Sequence, residues 1–150
     1  MKTEYNIKGI ILPVEIEGKN VDIPLRGKLD KIEFLSGSEV NVVDYKSGGQ
    51  KSRNEIEGKT KSADGNYKRQ LVFYKLLLPE MTSAEIDFIE PNEKGRYRKE
   101  KFVITDVEVA ELKETIKQKS KEILEMSFWH KTCDKKDCEY CALAENLRKI

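Results

Sequence analysis

Two aspartates and a lysine define the chemistry this sequence could perform. In Val40-Asn41-Val42-Val43-Asp44-Tyr45-Lys46, a strand would put Asp44 and Lys46 on the face shared by Val40 and Val42. Val43 and Tyr45 would point the other way. Asp30 closes the segment Gly27-Lys28-Leu29-Asp30 and would stand beside Asp44 if the two segments were neighbouring strands. Two carboxylates with an ammonium nearby make a divalent-metal site for phosphate chemistry. Mg²⁺ prefers oxygen ligands, accepts one or two carboxylates, and takes the rest from water and substrate phosphate. The lysine could position an attacking water or offset charge on the reacting phosphorus centre. Taken alone, an Asp and a Lys at alternate strand positions more often form an exposed polar face.

A second pair strengthens the metal reading. Gln70 and Tyr74 are one helical turn apart, with Leu71 packing beside them. Singly they would read as a surface glutamine and a core tyrosine.

The three blocks Gly27-x-x-Asp30-Lys31-Ile32, Asp44-Tyr45-Lys46-Ser47-Gly48 and Gln70-Leu71-x-x-Tyr74 together resemble the RecB-like nucleases of the PD-(D/E)XK superfamily. Each block is weak by itself, but their order on strand, strand and helix is the family's order. The wording is similar to the nuclease module at the C-terminus of UvrD-like superfamily 1 helicases. It also resembles AddB-type and CRISPR-adaptation exonucleases. The resemblance implies a restriction-endonuclease-like fold and Mg²⁺- or Mn²⁺-dependent hydrolysis of DNA phosphodiesters. On that footing Asp30, Asp44 and the Tyr45 carbonyl are metal ligands, Lys46 is the catalytic lysine, and Gln70 and Tyr74 complete the catalytic set. Two departures bear on activity. Lys31 stands where arginine is usual, and the upstream helix that normally brings a His or Glu ligand is not visible before the first strand. The expectation is weak or undetectable cutting by the isolated chain. The competing reading is a catalytically inactive clamp of the same fold that holds DNA for an attached helicase, and a third is an interaction domain whose tail binds Zn²⁺.

The elements that must position these residues can be read along the chain. Alternation from Tyr5 to Ile16, a turn at Glu17–Asn20, and alternation from Val21 onward predict a long hairpin. Pro13 and Pro24 favour edge or bulge positions in it. The segment Gly27–Leu35 either continues the second strand or starts another, and Ser36-Gly37-Ser38 turns the chain into Glu39–Lys46. Residues Ser47–Asn66 show no apolar period and predict a long mobile loop. A helix follows from Tyr67 to Pro79, then strands around Ile86–Phe88 and Tyr97–Ile104. Thr105-Asp106-Val107-Glu108 is a capping box opening a second helix, with Val109, Leu112, Ile116, Ile123 and Leu124 as its buried stripe. The fold class is therefore α/β (α+β). About five strands form a mixed sheet, antiparallel meander first, flanked by two main helices. Residues 1–128 form the nuclease core and 129–150 a cysteine-containing tail.

That tail holds all three cysteines, Cys133, Cys138 and Cys141. An odd count confined to one end argues against a disulfide framework. Either they are reduced thiols, or they form a metal knot. His130 is close enough in sequence to complete a Zn²⁺ site. The resemblance offers an iron–sulfur cluster instead.

Composition sets the outer bounds. Of 150 residues, 37% are charged, yet 28 Lys+Arg against 27 Asp+Glu leave only +1. Any nucleic-acid contact must then come from local patches. Lys28, Lys31, Lys51, Arg53, Lys68, Arg69, Arg96 and Arg98 surround the site and its hairpin and are the candidate phosphate contacts for single-stranded or frayed DNA. The apolar runs Ile10–Leu12 and Leu76–Leu78 are far too short to span a membrane, and the N-terminal segment carries Glu4 rather than an apolar signal region. A cytoplasmic protein with no membrane partner is expected, working with helicase motor domains in cis or in trans. No GxxxxGK[ST] loop is present for ATP hydrolysis by that route.

Overall fold

A computed structural model describes residues 1–127, 131–133, 135 and 137–147. Strands β1 (Lys2–Ile16) and β2 (Lys19–Phe34) form the long hairpin. Glu17 and Gly18 both have positive φ, the backbone of a two-residue turn whose twist matches that of the flanking strands. One residue is inserted between Ile7 and Ile10, where Gly9 adopts φ +85°. The bulge thus falls at a glycine and not at a proline. Pro13 lies on β1, the edge strand, and Pro24 on the part of β2 that extends past its next neighbour.

Strand β3 (Val40–Lys46) pairs antiparallel with the end of β2 through Lys31–Phe34. The chain then passes through α1 (Arg53–Ile56) and α2 (Asn66–Leu77) to β4 (Ser83–Phe88), which lies parallel to β3. Strand β5 (Arg98–Phe102) pairs antiparallel with β4 and completes the mixed sheet in the order β1-β2-β3-β4-β5. Helix α3 (Asp106–Leu124) follows, and α4 (Glu139–Leu147) lies in the tail with no buried residue.

One apolar cluster joins sheet and helices. Leu71, Tyr74 and Leu77 of α2 meet Leu29, Ile32, Val42, Ala84, Ile86, Phe88 and Phe102 of the strands. Helix α3 is capped as expected, Thr105 and Glu108 each covering the other's backbone amide. It packs through Val109, Leu112 and Ile116, against α2 and β1. Its stripe ends there. Ile123 and Leu124 are more than half or half exposed, so the expectation that they are buried is corrected. At about 1.5 Å per residue, the last turns of this helix have passed beyond the strands that could cover them.

The segment after β3 also departs from expectation, because it holds a short helix and side-chain anchors where the sequence shows no element. Ser52 caps α1, with Glu55 completing a capping box. Ile56 is buried in the core cluster. Gln50 Nε2 donates to the carbonyls of Glu90 and Arg96, and Arg53 donates to the Lys101 carbonyl and stacks over Phe102. A single apolar residue gives no periodicity to read, yet it is enough to pin a loop whose polar groups are also satisfied. No described helix is long and apolar enough to cross a membrane.

Candidate active site

Strand β3 carries its acid into the core. Asp44 is 2% exposed and shares a face with Val42, looking toward α2. Its Oδ1 accepts two hydrogen bonds, from Gln70 Nε2 at 2.9 Å and from Tyr74 Oη at 2.8 Å. The same Gln70 amide donates to Tyr74 Oη at 2.6 Å, and Gln70 Oε1 accepts from Lys46 Nζ at 2.7 Å. Helical spacing brings Gln70 and Tyr74 to one face, and alternation brings Asp44 and Lys46 to theirs. The four side chains close into one network.

Asp44 Oδ2 is different. Lys46 Nζ approaches it to 2.7 Å, an ion pair by distance. The approach lies outside hydrogen-bond geometry, and this buried oxygen has no hydrogen-bond partner among the described residues. We read the contact as a Coulombic one that leaves lone-pair density on Oδ2 unused. Buried carboxylate oxygens are rarely left so. Such an oxygen, ringed by groups that orient its partner, suits a divalent cation.

Asp30 comes from β2. Lys31 pairs with Val43, so Asp30 sits at the next position along, beside Asp44. Its Oδ2 accepts from the Tyr45 amide at 3.0 Å, which ties it to the backbone between Asp44 and Lys46. Strict alternation breaks here, since Leu29 and Ile32 both reach the core. Opposite Asp30 on β1, Glu4 adopts φ +50° and drops out of the ladder. Asp30 is half-buried, whereas Tyr45 turns its side chain to solvent and offers the site only its backbone. Two carboxylates against one ammonium leave an excess negative charge for a cation, and the oxygen donor set fits Mg²⁺ or Mn²⁺.

Burial pushes the Tyr74 phenol well above its ordinary range, and the neighbouring Asp44 carboxylate adds to the shift. Tyr74 is therefore a permanent donor to Asp44 and takes no part as a base.

Tyr67, which the sequence marks only as the start of a helix, belongs to the site. Its ring centroid lies 4.8 Å from Lys46 Nζ. No spacing rule signals such a contact.

Among the basic residues proposed from sequence, several are engaged within the fold. Lys28 pairs with Glu4, Lys31 with Glu33, Lys68 with Glu108, and Arg98 with Glu100. Arg53 pairs with Glu57 and Glu100. Arg69 donates to the Asp64 carbonyl, and the Arg96 backbone closes the β4–β5 turn on Asn92. Lys51 rests on the Tyr67 ring.

The cysteines are gathered. The sulfurs of Cys133, Cys138 and Cys141 all lie within 4.8 Å of one another, and those of Cys133 and Cys141 are 3.5 Å apart. Tetrahedral Zn–S bonds of about 2.3 Å place sulfurs roughly 3.8 Å apart, so three corners of a metal site fit. The Cys141 amide, and next the Cys133 thiol, draw the Cys138 thiol below its ordinary range, which favours the ligating thiolate. His130, the proposed fourth ligand, lies outside the described residues.

Comparison with known proteins adds to this geometry. The sequence pattern of the PD-(D/E)XK nuclease superfamily matches residues 3–145. Among solved structures, one described as "Crystal structure of SSO0001" aligns with a TM-score of 0.50 at 18% identity. The alignment covers 83% of this chain and 50% of that one, so the chain spans about half its length. At that identity the likeness speaks for the fold alone. No curated protein matches.

Proposed function

The chain belongs to the PD-(D/E)XK nuclease superfamily, and from that premise we propose that it is a divalent-metal-dependent deoxyribonuclease. The observation that carries the reading is Asp44 Oδ2, a buried carboxylate oxygen without a hydrogen-bond donor, beside Lys46 and next to Asp30. Asp30, Asp44 and the Tyr45 carbonyl would hold Mg²⁺ or Mn²⁺. Such an ion polarises a phosphoryl oxygen and makes bound water a nucleophile near neutral pH.

The chain's own residues do the rest. Gln70 and Tyr74 saturate Asp44 Oδ1 and so fix which oxygen faces the cation. Gln70 also holds the Lys46 ammonium, which orients the attacking water or offsets charge on the phosphorane. Substrate enters from the open end of β3, where the ammonium of Lys51 stands. Single-stranded or frayed DNA is the substrate class in this reading. The wording of the three motif blocks favours a place beside a helicase motor, in the same chain or in a partner, as in UvrD-like helicase–nucleases. The cysteine cluster is a second metal position, for Zn²⁺ or an iron–sulfur centre completed by a further ligand.

Calorimetry with Mn²⁺ tests the metal assignment. Binding at millimolar or tighter affinity should vanish in Asp44→Asn, which keeps an acceptor for Tyr74 and Gln70 but loses the charge. Undiminished binding in that variant defeats the assignment.

A further inference from the structure

The ring of Tyr67 serves two ammonium groups. Lys46 Nζ lies 4.8 Å and Lys51 Nζ 4.2 Å from its centroid. Ring and strand are locked together, because Tyr67 packs on Phe88 at 6.4 Å between centroids, and Phe88 is the β4 partner of Lys46 in the sheet. Phe88 is fully buried, so the platform cannot shift without disturbing the core.

The fold contains a second such pair that shows what a purely structural version looks like. Arg53 and Lys68 both lie over Phe102. Each also meets carboxylates, Arg53 with Glu57 and Glu100 and Lys68 with Glu108, so that cluster is neutralised internally. At Tyr67 the balance differs. Lys46 meets Asp44, but Lys51 takes part in no ion pair among the described residues.

Lys51 is also held in place. Its neighbour Gln50 is bonded to the carbonyls of Glu90 and Arg96, and its neighbour Ser52 caps α1. An aromatic face attracts a cation without cancelling its charge. The result is an ammonium held on the ring, outside any ion pair among the described residues and with only the longer-range field of Glu55 against it, one ring away from the catalytic lysine. A positive charge kept fixed beside a phosphodiester site is suited to an anion of the same strand.

We propose that Lys51 binds the backbone phosphate next to the scissile one, and that Tyr67 positions both lysines. The inference rests on the nuclease reading above. Tyr67 acts through the ammonium groups and is a positioning residue. Lys51 touches substrate.

Salt dependence separates this from a packing role. Binding of a labelled single-stranded oligonucleotide is followed by fluorescence anisotropy in EDTA, across a salt series. Each phosphate neutralised on a single strand contributes about −0.7 to the slope of log K against log salt. Lys51→Ala should make the slope shallower by about 0.7, and Lys51→Arg should restore it. Tyr67→Leu removes no charge yet should make the slope shallower by a similar amount, while Tyr67→Phe, which keeps the ring, should match the parent. In Mn²⁺, Tyr67→Leu should lower kcat about tenfold, and Tyr67→Phe should not. An unchanged slope in Lys51→Ala overturns the phosphate contact, and an unchanged slope and kcat in Tyr67→Leu overturn the platform. A parent chain that neither binds nor cuts DNA brings down the nuclease reading itself, a result distinct from either.

Discussion

Tyr74 and Asp44 share a hydrogen bond of 2.8 Å inside the core, on the same carboxylate oxygen that Gln70 reaches at 2.9 Å. Both donors crowd onto Oδ1 and none takes Oδ2. The pairing therefore divides the carboxylate into an oxygen fixed by two donors and an oxygen that no donor reaches among the described residues. Removing the phenol tests this division. Tyr74→Phe should cost about 1.5–3 kcal/mol in urea unfolding, the range for a hydrogen bond to a charged group. It should also weaken Mn²⁺ binding, because Asp44 can then rotate. Equal stability and affinity in the variant would mean that Gln70 alone orients Asp44.

The same environment predicts an anomalous tyrosine. Burial and then the Asp44 charge raise the Tyr74 phenol, so its neutral form is favoured in the folded protein. In an ultraviolet titration of the native chain, Tyr74 should stay un-ionised past the pH of about 10 at which a free phenol ionises. Full ionisation of all six tyrosines before unfolding would contradict its placement.

Much of this site was legible from sequence, for a physical reason. Period-2 alternation gave the face of Asp44 and Lys46, and period-3.6 spacing gave that of Gln70 and Tyr74. The strand order then placed Asp30 beside Asp44. These are short-range rules, and they hold where segments are long and regular. The contacts of Tyr67 with Lys46 and Lys51 join three separate segments, and nothing in local spacing announces them. The anchored loop was readable in part. Ser52-Arg53-Asn54-Glu55 has the capping-box pattern, but with Ile56 as its lone apolar residue it stood outside any periodic run. Ile123 and Leu124 continue the heptad-like pattern of α3 after the helix has run out of partners, so periodicity overstates their burial.

The segment between β3 and α2 should be protected from amide exchange in the free protein, above all around Arg53–Gly58. Ser52→Ala should lower that protection and cost about 0.5–2 kcal/mol, as losing a helix cap does. The Ser52 hydroxyl, and next the Ser52 amide, hold the Glu55 carboxylate below its ordinary range. Its folded value is the lower one, so the box stabilises the loop fully above the ordinary glutamate pKa of about 4.3. That contribution is lost as pH falls through the folded value. Protection factors at Arg53–Gly58 should drop as pH falls below that ordinary value, and Glu55→Gln should flatten the profile. Exchange at the rate of an open chain at neutral pH would show the loop to be mobile after all.

The cysteine cluster makes a spectroscopic prediction. Co²⁺ added to reduced protein should give sulfur-to-metal charge-transfer absorption, lost in Cys138→Ser and displaced by Zn²⁺. An iron-loaded preparation with cluster absorption would instead favour the iron–sulfur alternative. Absence of both would leave three gathered thiols with no metal.

The central claim is that Asp30, Asp44 and Lys46 form a working nuclease site, and the cleavage rate of single-stranded DNA in Mn²⁺ tests it most directly. The parent chain and Lys46→Ala are compared at equal folding, checked by circular dichroism. The account predicts metal-dependent cutting that falls on the order of 10²–10³ in Lys46→Ala, the loss typical of one electrostatic stabiliser. Equal cutting by both proteins, or DNA binding with no cleavage in any divalent metal, would contradict it.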